Sequence, residues 1–252
     1  MAIDFDIPAE AKAIRETVRA WVQDECIPAE KRLVAGEDYK TVLGELRTKA
    51  RARGLWCPFI PKEYGGMELG PLANALVQME LGESYLGALS MNTQGPDDAT
   101  ILTLIAHGTE DQKERFLKPL LNGEKRICYS MTEKAAGADA TGMQTRAEKK
   151  GNSAYVLNGE KWFSSAASVA DIALVMAKTN PDAPRHQQFS TFLVELPNPG
   201  YRIVRDIETM AAHGPLSEIL GGGHSEVRIE NLEVPAENLL GGEGNGFAMG
   251  QH

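Results

Sequence analysis

Apolar residues in the first half of the chain recur with the spacing of amphipathic helices. The first helix carries its apolar face at Ile14, Val18, Trp21 and Val22. Pro28 is expected to end it. Four more helices are predicted. The first covers Val42 to Ala50, and the second begins at Pro71 with Leu72, Leu76 and Met79 on its apolar side. The third covers Pro96 to His107, and the fourth begins at Thr109 and is kinked or closed by Pro119. The last of these begins with a capping box, in which Thr109 and Gln112 exchange hydrogen bonds.

Near Arg126 the periodicity changes to that of short β-strands. Five runs rich in β-branched and aromatic residues are RICYSMT, SAYVLNG, DIALVMAK, FSTFLVEL and SEVRIENLEV. Asn158-Gly159 is typical of a type I′ hairpin turn, which needs positive φ at both central residues. The pattern predicts an α+β fold, with an N-terminal all-helical domain over residues 1–124 and a β domain over residues 125–240. Residues 241–252 resemble the start of another helical domain, whose apolar pattern is not completed.

Composition narrows the classes of function. The chain has 252 residues, of which 42% are hydrophobic and 24% are charged, as in ordinary globular proteins. A net charge of −9 argues against a nucleic-acid partner, which would need clustered Lys and Arg. No apolar run is long enough to span a bilayer, and the N-terminus lacks a signal-peptide pattern. Cys26, Cys57 and Cys128 show no CxxC spacing, so we expect reduced thiols in a cytoplasmic protein. Because no apolar run could span a bilayer, we expect no membrane partner.

One candidate binding segment is YSMTEKAAGADATGM, which follows a predicted strand. Ala135, Ala136, Gly137 and Ala138 are small residues that would let a ligand approach the backbone closely. Thr132 adds a hydroxyl and an amide donor. The segment could therefore hold the polar edge of a planar cofactor, or it could be a plain transition from strand to loop.

A second candidate segment is EKWFSSAAS, Glu160 to Ser168. Strand alternation would place Trp162 and Ser164 on one face and Phe163 and Ser165 on the other. An aromatic ring beside a hydroxyl can flank a flavin and bond one of its ring nitrogens. The alternative is an aromatic residue packed inside the β domain.

Other motifs carry less chemistry. His213 and His224 flank a Gly-rich loop, but no second pair of ligands has metal-binding spacing, so we expect no metal site. Neither GGGHS nor GGEGNG matches a phosphate-binding glycine motif, and no Ser-His-Asp constellation can be identified from spacing. These segments are interpreted as loops.

Five segments resemble the acyl-CoA dehydrogenase family. YSMTEKAAGAD is similar to the family's Y-x-x-T-E-P-x-A-G-S-D segment, and YVLNGEKWFSSAASVADIALVMAKT resembles its N-G-x-K-x-W-I-[ST] strand pair. HGTEDQKERFLKPLLNGE is similar to its G-T-E-x-Q-K helix, and GLWCPFIPKEYGG to its G-L-x-x-x-x-x-P-x-x-Y-G-G loop. VPAENLLGGEGNGF matches its V-P-x-x-N-x-L-G-x-x-G-x-G-F segment. The segments occur in family order across almost the whole chain.

The resemblance implies a helical N-terminal domain, a middle β-barrel and a C-terminal four-helix bundle, the last of which this chain is expected to lack. It implies FAD as the cofactor, an acyl-CoA from fatty-acid or related oxidation as the substrate, and an electron-transfer flavoprotein as the partner. A homodimer or homotetramer is implied for the full-length protein. In this family a glutamate takes the α-proton of the thioester while the β-hydrogen moves as hydride to flavin N5.

Carried over residue by residue, the resemblance implies a flavin site. Its cofactor-binding residues would be Tyr129, Met131, Thr132, Gly137, Ala138, Phe163, Ser164 and Ser165, with Ala138 also beside the substrate. Thr132 would bond the pyrimidine edge of the ring, and Ser165 would face N5. Phe163 stands where the family usually has Trp. Gly137 and Ala138 would lie by the pyrophosphate and the entrance of the CoA arm.

Two positions depart from the family pattern. Lys134 replaces the usual Pro, and Ala138 replaces the Ser of G-S-D. The lost hydroxyl costs about 0.5–1.5 kcal/mol if it bonded a neutral acceptor, or about 1.5–3 kcal/mol if it bonded a phosphate. Binding is therefore expected to be weakened but not abolished.

The family's glutamate base lies in the C-terminal bundle, so no catalytic residue is named in this chain. By itself the chain is expected to be inactive. Three functions stay open: an acyl-CoA dehydrogenase given in part, a non-catalytic partner subunit of a homologous dehydrogenase, and a flavin oxidase or monooxygenase with the same fold.

Overall fold

A computed structural model of the chain describes residues 6–210, 216, 220 and 223–250. The described residues form two compact units, the first reaching Asp98 and including Leu216 and Leu220, and the second comprising the rest. Helical residues from 99 onward thus group with the strands, and the domain boundary at 124/125 stays a prediction. Within the described residues, no helix has both the length and the apolar composition required to cross a bilayer.

The first unit is helical, as predicted. Its helices are α1 Ala9–Trp21, α2 Ile27–Val34, α3 Tyr39–Ala52, α4 Pro71–Leu81 and α5 Gly87–Ser90, with a 3₁₀ turn at Lys62–Tyr64. Val18 and Trp21 are buried in the core of this unit. The buried Glu80 accepts hydrogen bonds from Arg15 and Arg19, which ties α4 to α1.

Pro28 does not end the first helix, so that prediction is wrong. A π-helical turn at Val22–Cys26 joins α1 to α2, and the chain stays helical as far as Val34. Pro28 occupies the first turn after the π segment. A proline has no N–H to donate, and the shift from i→i+4 to i→i+5 bonding removes the need for one there.

The apolar side predicted for α4 is also only partly correct. Leu76, Val77 and Leu81 are buried, whereas Leu72 and Met79 are exposed. The helix therefore turns a different face to its core from the one the apolar residues suggested.

The second unit begins with helices and continues with strands. Its helices are α6 Asp97–His107, whose first two residues fall in the first unit, α7 Glu110–Gln112, α8 Lys118–Leu121 and, after the strands, α9 Gly246–Met249. A π-helical turn at Lys113–Leu117 lies between α7 and α8. The capping box of Thr109 and Gln112 is confirmed. The side-chain amide of Gln112 also donates to the carbonyls of Glu237 and Leu239, which fixes this helix against the end of the β region.

Eight strands form one mixed sheet, which confirms the helical-then-β fold class. The strands are β1 Ile127–Ser130, β2 Arg146–Lys150, β3 Ala154–Ser165, β4 Ile172–Lys178, β5 Phe189–Glu195, β6 Tyr201–Ile207, β7 His224–Pro235 and β8 Leu239–Leu240. Their order is β6-β7-β3-β2-β4-β5-β8, and β1 pairs in parallel with β4. No described pairing joins the two ends, β6 and β8. The five predicted runs are strands, and β2, β6 and β8 were not predicted.

Asn158-Gly159 is not a hairpin turn, which corrects that prediction. Both residues lie within β3, and the turn between β2 and β3 falls at residues 151–153. Gly159 is needed for another reason, because a Cβ there would lie 2.7 Å from the Cα of Thr145. The glycine therefore permits a close approach of two backbones rather than a reversal of the chain.

A buried ion pair connects β3 to the segment after β1. Lys161 is 0% exposed and Glu133 is 4% exposed, and Lys161 Nζ lies 3.0 Å from Glu133 Oε1. Lys161 also donates to the carbonyl of Met131 at 2.9 Å. Glu133 in turn accepts from the backbone amides of Gln144 and Thr145 at 2.6 and 2.9 Å. The pair thus bonds three backbone groups, in two separate stretches of the chain.

The pair remains ionised near neutral pH. Burial lowers the pKa of Lys161 to about 8, against the opposing effect of Glu133. Burial alone would raise the pKa of Glu133, but Lys161 and the bonds from Gln144 and Thr145 outweigh it, so this pKa lies below its usual range. A charged lysine therefore faces a charged glutamate.

Gly159→Ala should destabilise the β unit by about 1–3 kcal/mol, because the new Cβ overlaps Thr145 and the two strands must separate. The measurement is the urea midpoint at constant slope. The matched control is Gly44→Ala in α3, where a Cβ meets nothing within 4 Å. That control should be neutral or stabilising, and equal midpoints for the two variants would contradict the close-approach explanation.

Lys161→Met should cost about 3–5 kcal/mol in unfolding free energy, because it leaves the Glu133 carboxylate buried without its cation. Lys150→Met is the matched control. Lys150 pairs with Glu233 through side chains that are both more than half exposed, so its loss should cost less than about 1 kcal/mol.

The double variant Lys161→Met with Glu133→Gln should recover part of the loss, because no unpaired charge remains buried. The unfolding free energy of the double variant can also be measured if the single variant does not fold. A double variant less stable than Lys161→Met alone would contradict the ion-pair account.

Candidate functional site

One backbone hydrogen bond brings the two predicted binding segments together. The amide of Trp162 donates to the carbonyl of Thr132 at 2.7 Å. The neighbouring carbonyl of Met131 is held by Lys161. Among the described residues, neither the amide nor the hydroxyl of Thr132 has a hydrogen-bond partner. The carbonyl of Thr132 is therefore bonded within the protein, whereas its amide and its hydroxyl can still bond a ligand.

A β-bulge in β3 sets the direction of the next side chains. Lys161 pairs with Val227 and Ser164 with Ser225, so the strand holds one more residue than its partner β7 over this step. Phe163 lies in the bulge with φ +56 and is 46% exposed. Bulges re-aim side chains, and this one turns a large aromatic ring outward.

Ser165 and His224 form a cross-strand pair beside that ring. They are register partners on β3 and β7, and Ser165 Oγ lies 2.8 Å from His224 Nδ1. The Phe163 and His224 rings meet edge to face, with centroids 6.0 Å apart. Phe163, Ser165 and His224 therefore form one continuous patch.

Ser164 is not part of that patch. It is 1% exposed, and its hydroxyl lies 2.9 Å from that of Ser130. Ser130 in turn bonds the Tyr201 hydroxyl at 2.7 Å. This buried hydroxyl chain links β3, β1 and β6, so the structure does not bring the Ser164 hydroxyl to the face occupied by Ser165. Trp162 is half-buried and does not share the buried face with Ser164 either.

Tyr129 and Met131 precede Thr132 in the chain. Both are half-buried and pack against the apolar cluster of Ala136, Met143, Met176 and Phe189. Burial raises the pKa of Tyr129 to about 12, so its hydroxyl stays neutral. Both residues can contribute an apolar wall to a ligand at Thr132.

Ala138 borders a separate cavity of about 720 Å³ in the same unit. Arg185 lies at this cavity and is paired with Asp139 at 2.6 Å. The neighbouring Gly137 is exposed, and a Cβ there would meet nothing within 4 Å. The fold therefore does not itself require glycine at position 137, and the surface stays open.

Three residues of this region were missed as contributors by sequence reasoning. Glu133 and Lys161 lie in motifs that were recognised, but no spacing rule predicts that two charged residues 28 positions apart bury each other. His224 was considered only as a metal ligand, and His213 lies outside the described residues. Within the described part of the chain, no group of three or more His, Cys, Asp or Glu side chains could hold a metal ion.

Comparisons with known proteins identify the family of the chain. Residues 8–124 match the N-terminal domain of acyl-CoA dehydrogenases, and residues 128–222 match the middle domain. The chain is 38% identical over 248 residues to acyl-CoA dehydrogenase family member 11 of Gallus gallus, with 93% of this chain and 31% of that protein covered. It is 36% identical over 262 residues to FadE2 of Mycobacterium tuberculosis, named as an acyl-CoA dehydrogenase, with 99% of this chain and 62% of that protein covered.

A solved structure from Mycobacterium abscessus, also assigned to the acyl-CoA dehydrogenases, has a TM-score of 0.86 at 30% identity. It aligns with 98% of this chain and 64% of its own. The chain thus spans less than two thirds of the length of each of these three proteins. Both family matches and the shared fold lead to one conclusion: this chain belongs to the acyl-CoA dehydrogenase family.

Proposed function

We propose that the β unit binds FAD where Thr132 meets Trp162, and that the whole protein uses this cofactor to introduce an α,β double bond into an acyl-CoA thioester. The observation that carries the proposal is the hydrogen bond from Trp162 to Thr132. It places two polar groups without described partners next to an exposed aromatic ring.

The residues present fit a flavin. An isoalloxazine ring has a flat aromatic face and hydrogen-bonding atoms along its edges. The amide and hydroxyl of Thr132 can meet its pyrimidine edge, Phe163 can pack on its face, and Ser165 can address N5. Phe163 is 46% exposed and lies in the bulge at φ +56, so its ring is accessible to a planar partner.

FAD, when bound, accepts the hydride that leaves the β-carbon of the substrate. The chain's own residues would bind and orient it. Thr132 fixes the ring edge, Phe163 with Tyr129 and Met131 excludes water, and Ser165 supplies a hydrogen bond. These contacts act more strongly where water is excluded.

The cavity beside Ala138 suits the CoA arm of the substrate. Its volume of about 720 Å³ lies within the range of small-molecule sites. Arg185 supplies a positive charge for a phosphate, and in the structure this guanidinium also pairs with Asp139. The alanine at position 138 offers no hydroxyl to the ligand, so the backbone and Arg185 would supply the polar contacts.

We also propose the wider setting that the family resemblance implies. The protein would pass electrons to an electron-transfer flavoprotein and form a homodimer or homotetramer. A cytoplasmic location is supported by Cys26, Cys57 and Cys128, all of which are buried thiols.

Thr132→Val should raise the dissociation constant for FAD by roughly 2- to 10-fold, because it removes one hydroxyl contact of about 0.5–1.5 kcal/mol. The measurement is titration of apo-protein with FAD, followed by flavin fluorescence. Ser164→Ala is the matched control, since its hydroxyl bonds Ser130 inside the sheet. An unchanged constant in Thr132→Val would remove Thr132 from the site, and a wild-type protein that retains no FAD would refute the proposed cofactor.

Ser165→Ala should slow reduction of bound flavin by acyl-CoA by roughly 10-fold or more while changing acyl-CoA binding less. Its hydrogen bond strengthens as N5 gains negative character, so its loss is felt more in the transition state than in the ground state. Anaerobic stopped-flow absorbance in the whole protein measures the rate. Equal rates in the variant and the wild type would exclude Ser165 from this role.

A further inference from the structure

His224 is hydrogen-bonded to Ser165, the residue proposed to face N5. Ser165 Oγ and His224 Nδ1 are 2.8 Å apart, and His224 is the only described hydrogen-bond partner of the Ser165 side chain. The two residues are held opposite each other by the backbone. Ser164 pairs with Ser225 on one side, and the amide of Ala166 donates to the carbonyl of Gly223 at 2.8 Å on the other.

The orientation of the imidazole is fixed as well. The Phe163 ring packs edge to face on it, with an interplanar angle of 77°. The ring that shields the proposed flavin face therefore also restricts rotation of His224. Nδ1 stays directed at Ser165.

A serine hydroxyl has one proton to donate. If Nδ1 carries no proton, Ser165 must donate to His224 and can offer only lone pairs to a ligand. If Nδ1 carries a proton, His224 donates to Ser165, and the hydroxyl proton is free to point at the ligand. The protonation of one ring nitrogen thus decides whether Ser165 is a donor or an acceptor.

We propose that His224 is a positioning residue, which donates from Nδ1 to Ser165 and thereby directs the Ser165 proton to flavin N5. The inference rests on the proposed FAD site. In the resulting chain, Nδ1–H donates to Oγ and Oγ–H donates to N5, and each bond polarises the next. Oxidised N5 accepts this hydrogen bond, whereas N5 that has received the hydride is itself an N–H donor, so the Ser165 donor stabilises the oxidised form more than the reduced one.

The test is the reduction potential of FAD bound to the protein, measured by equilibration with a reference dye. Ser165→Ala and His224→Phe should each shift the potential to more positive values, because each removes a hydrogen bond that is made mainly to the oxidised form. Phenylalanine keeps the ring that packs on Phe163 but cannot donate. His224→Asn should retain most of the wild-type potential, because an amide nitrogen can occupy the position of Nδ1 and donate.

The double variant Ser165→Ala with His224→Phe separates an indirect role from a direct one. If His224 acts through Ser165, the double variant should have the same potential as Ser165→Ala alone. A further shift in the double variant would show that His224 acts on the flavin by another route, and would overturn the proposal.

Ser225→Ala is the control variant. Ser225 follows His224 on β7, and its hydroxyl donates to Asp206 at 2.6 Å rather than to Ser165. Ser225→Ala should leave the potential unchanged. FAD affinity in His224→Phe should stay within about 3-fold of the wild type, because the direct contacts remain.

The outcomes of these measurements separate the role of His224 from the proposed binding of FAD. A wild-type protein that binds no FAD refutes the cofactor proposal and this inference together. A wild type that binds FAD, with His224→Phe at the wild-type potential, overturns only the role of His224.

Discussion

The ion pair between Lys161 and Glu133 is the contact on which the arrangement of the site depends. Both side chains are buried, and their hydrogen bonds end on three backbone groups, at Met131 and at the adjacent Gln144 and Thr145. Lys161 holds the carbonyl of Met131, immediately before Thr132, and lies immediately before Trp162. The hydrogen bond from Trp162 to Thr132 is thus one residue away from the pair on both sides. A shift of either charged side chain would move both binding segments.

The bulge next to Lys161 then sorts the side chains of β3 onto two faces. Ser164 turns inward and joins a buried hydroxyl chain, whereas Phe163 and Ser165 turn outward. A regular strand would alternate without interruption, and Lys161 would then share a face with Phe163 and Ser165. One inserted residue lets the strand bury Lys161 and Ser164 while presenting both an aromatic ring and a hydroxyl. His224, opposite Ser165, shares in this arrangement because the register across β7 places it there.

Sequence patterns predicted the element types well, because helix and strand periodicities act over many residues. Local rules failed where tertiary structure overrode them. Pro28 was expected to stop a helix, but a π-helical turn accommodates it, and Asn158-Gly159 gave a turn signal in a strand where the glycine serves close packing against Thr145. In the candidate site, motif resemblance identified Thr132, Phe163 and Ser165, which the structure brings together. It grouped Ser164 with Ser165, whereas strand alternation placed these two residues on opposite faces, as the structure does. Alternation could not predict the bulge between Lys161 and Ser164, because that bulge is set by the pairing with β7.

Buried ion pairs often add little stability, since well-packed apolar side chains can replace them at no cost. That argument does not transfer to Lys161 and Glu133. Replacing both with apolar residues would leave the carbonyl of Met131 and the amides of Gln144 and Thr145 without these partners, each at about 1–3 kcal/mol if they stay buried. The two charges therefore bond backbone groups that strand pairing does not use. Strand pairing has ended after β1, and the amide and hydroxyl of Thr132 there have no described partner. Next to Thr132, whose amide has no described partner, the backbone groups of Met131, Gln144 and Thr145 are therefore bonded by this ion pair.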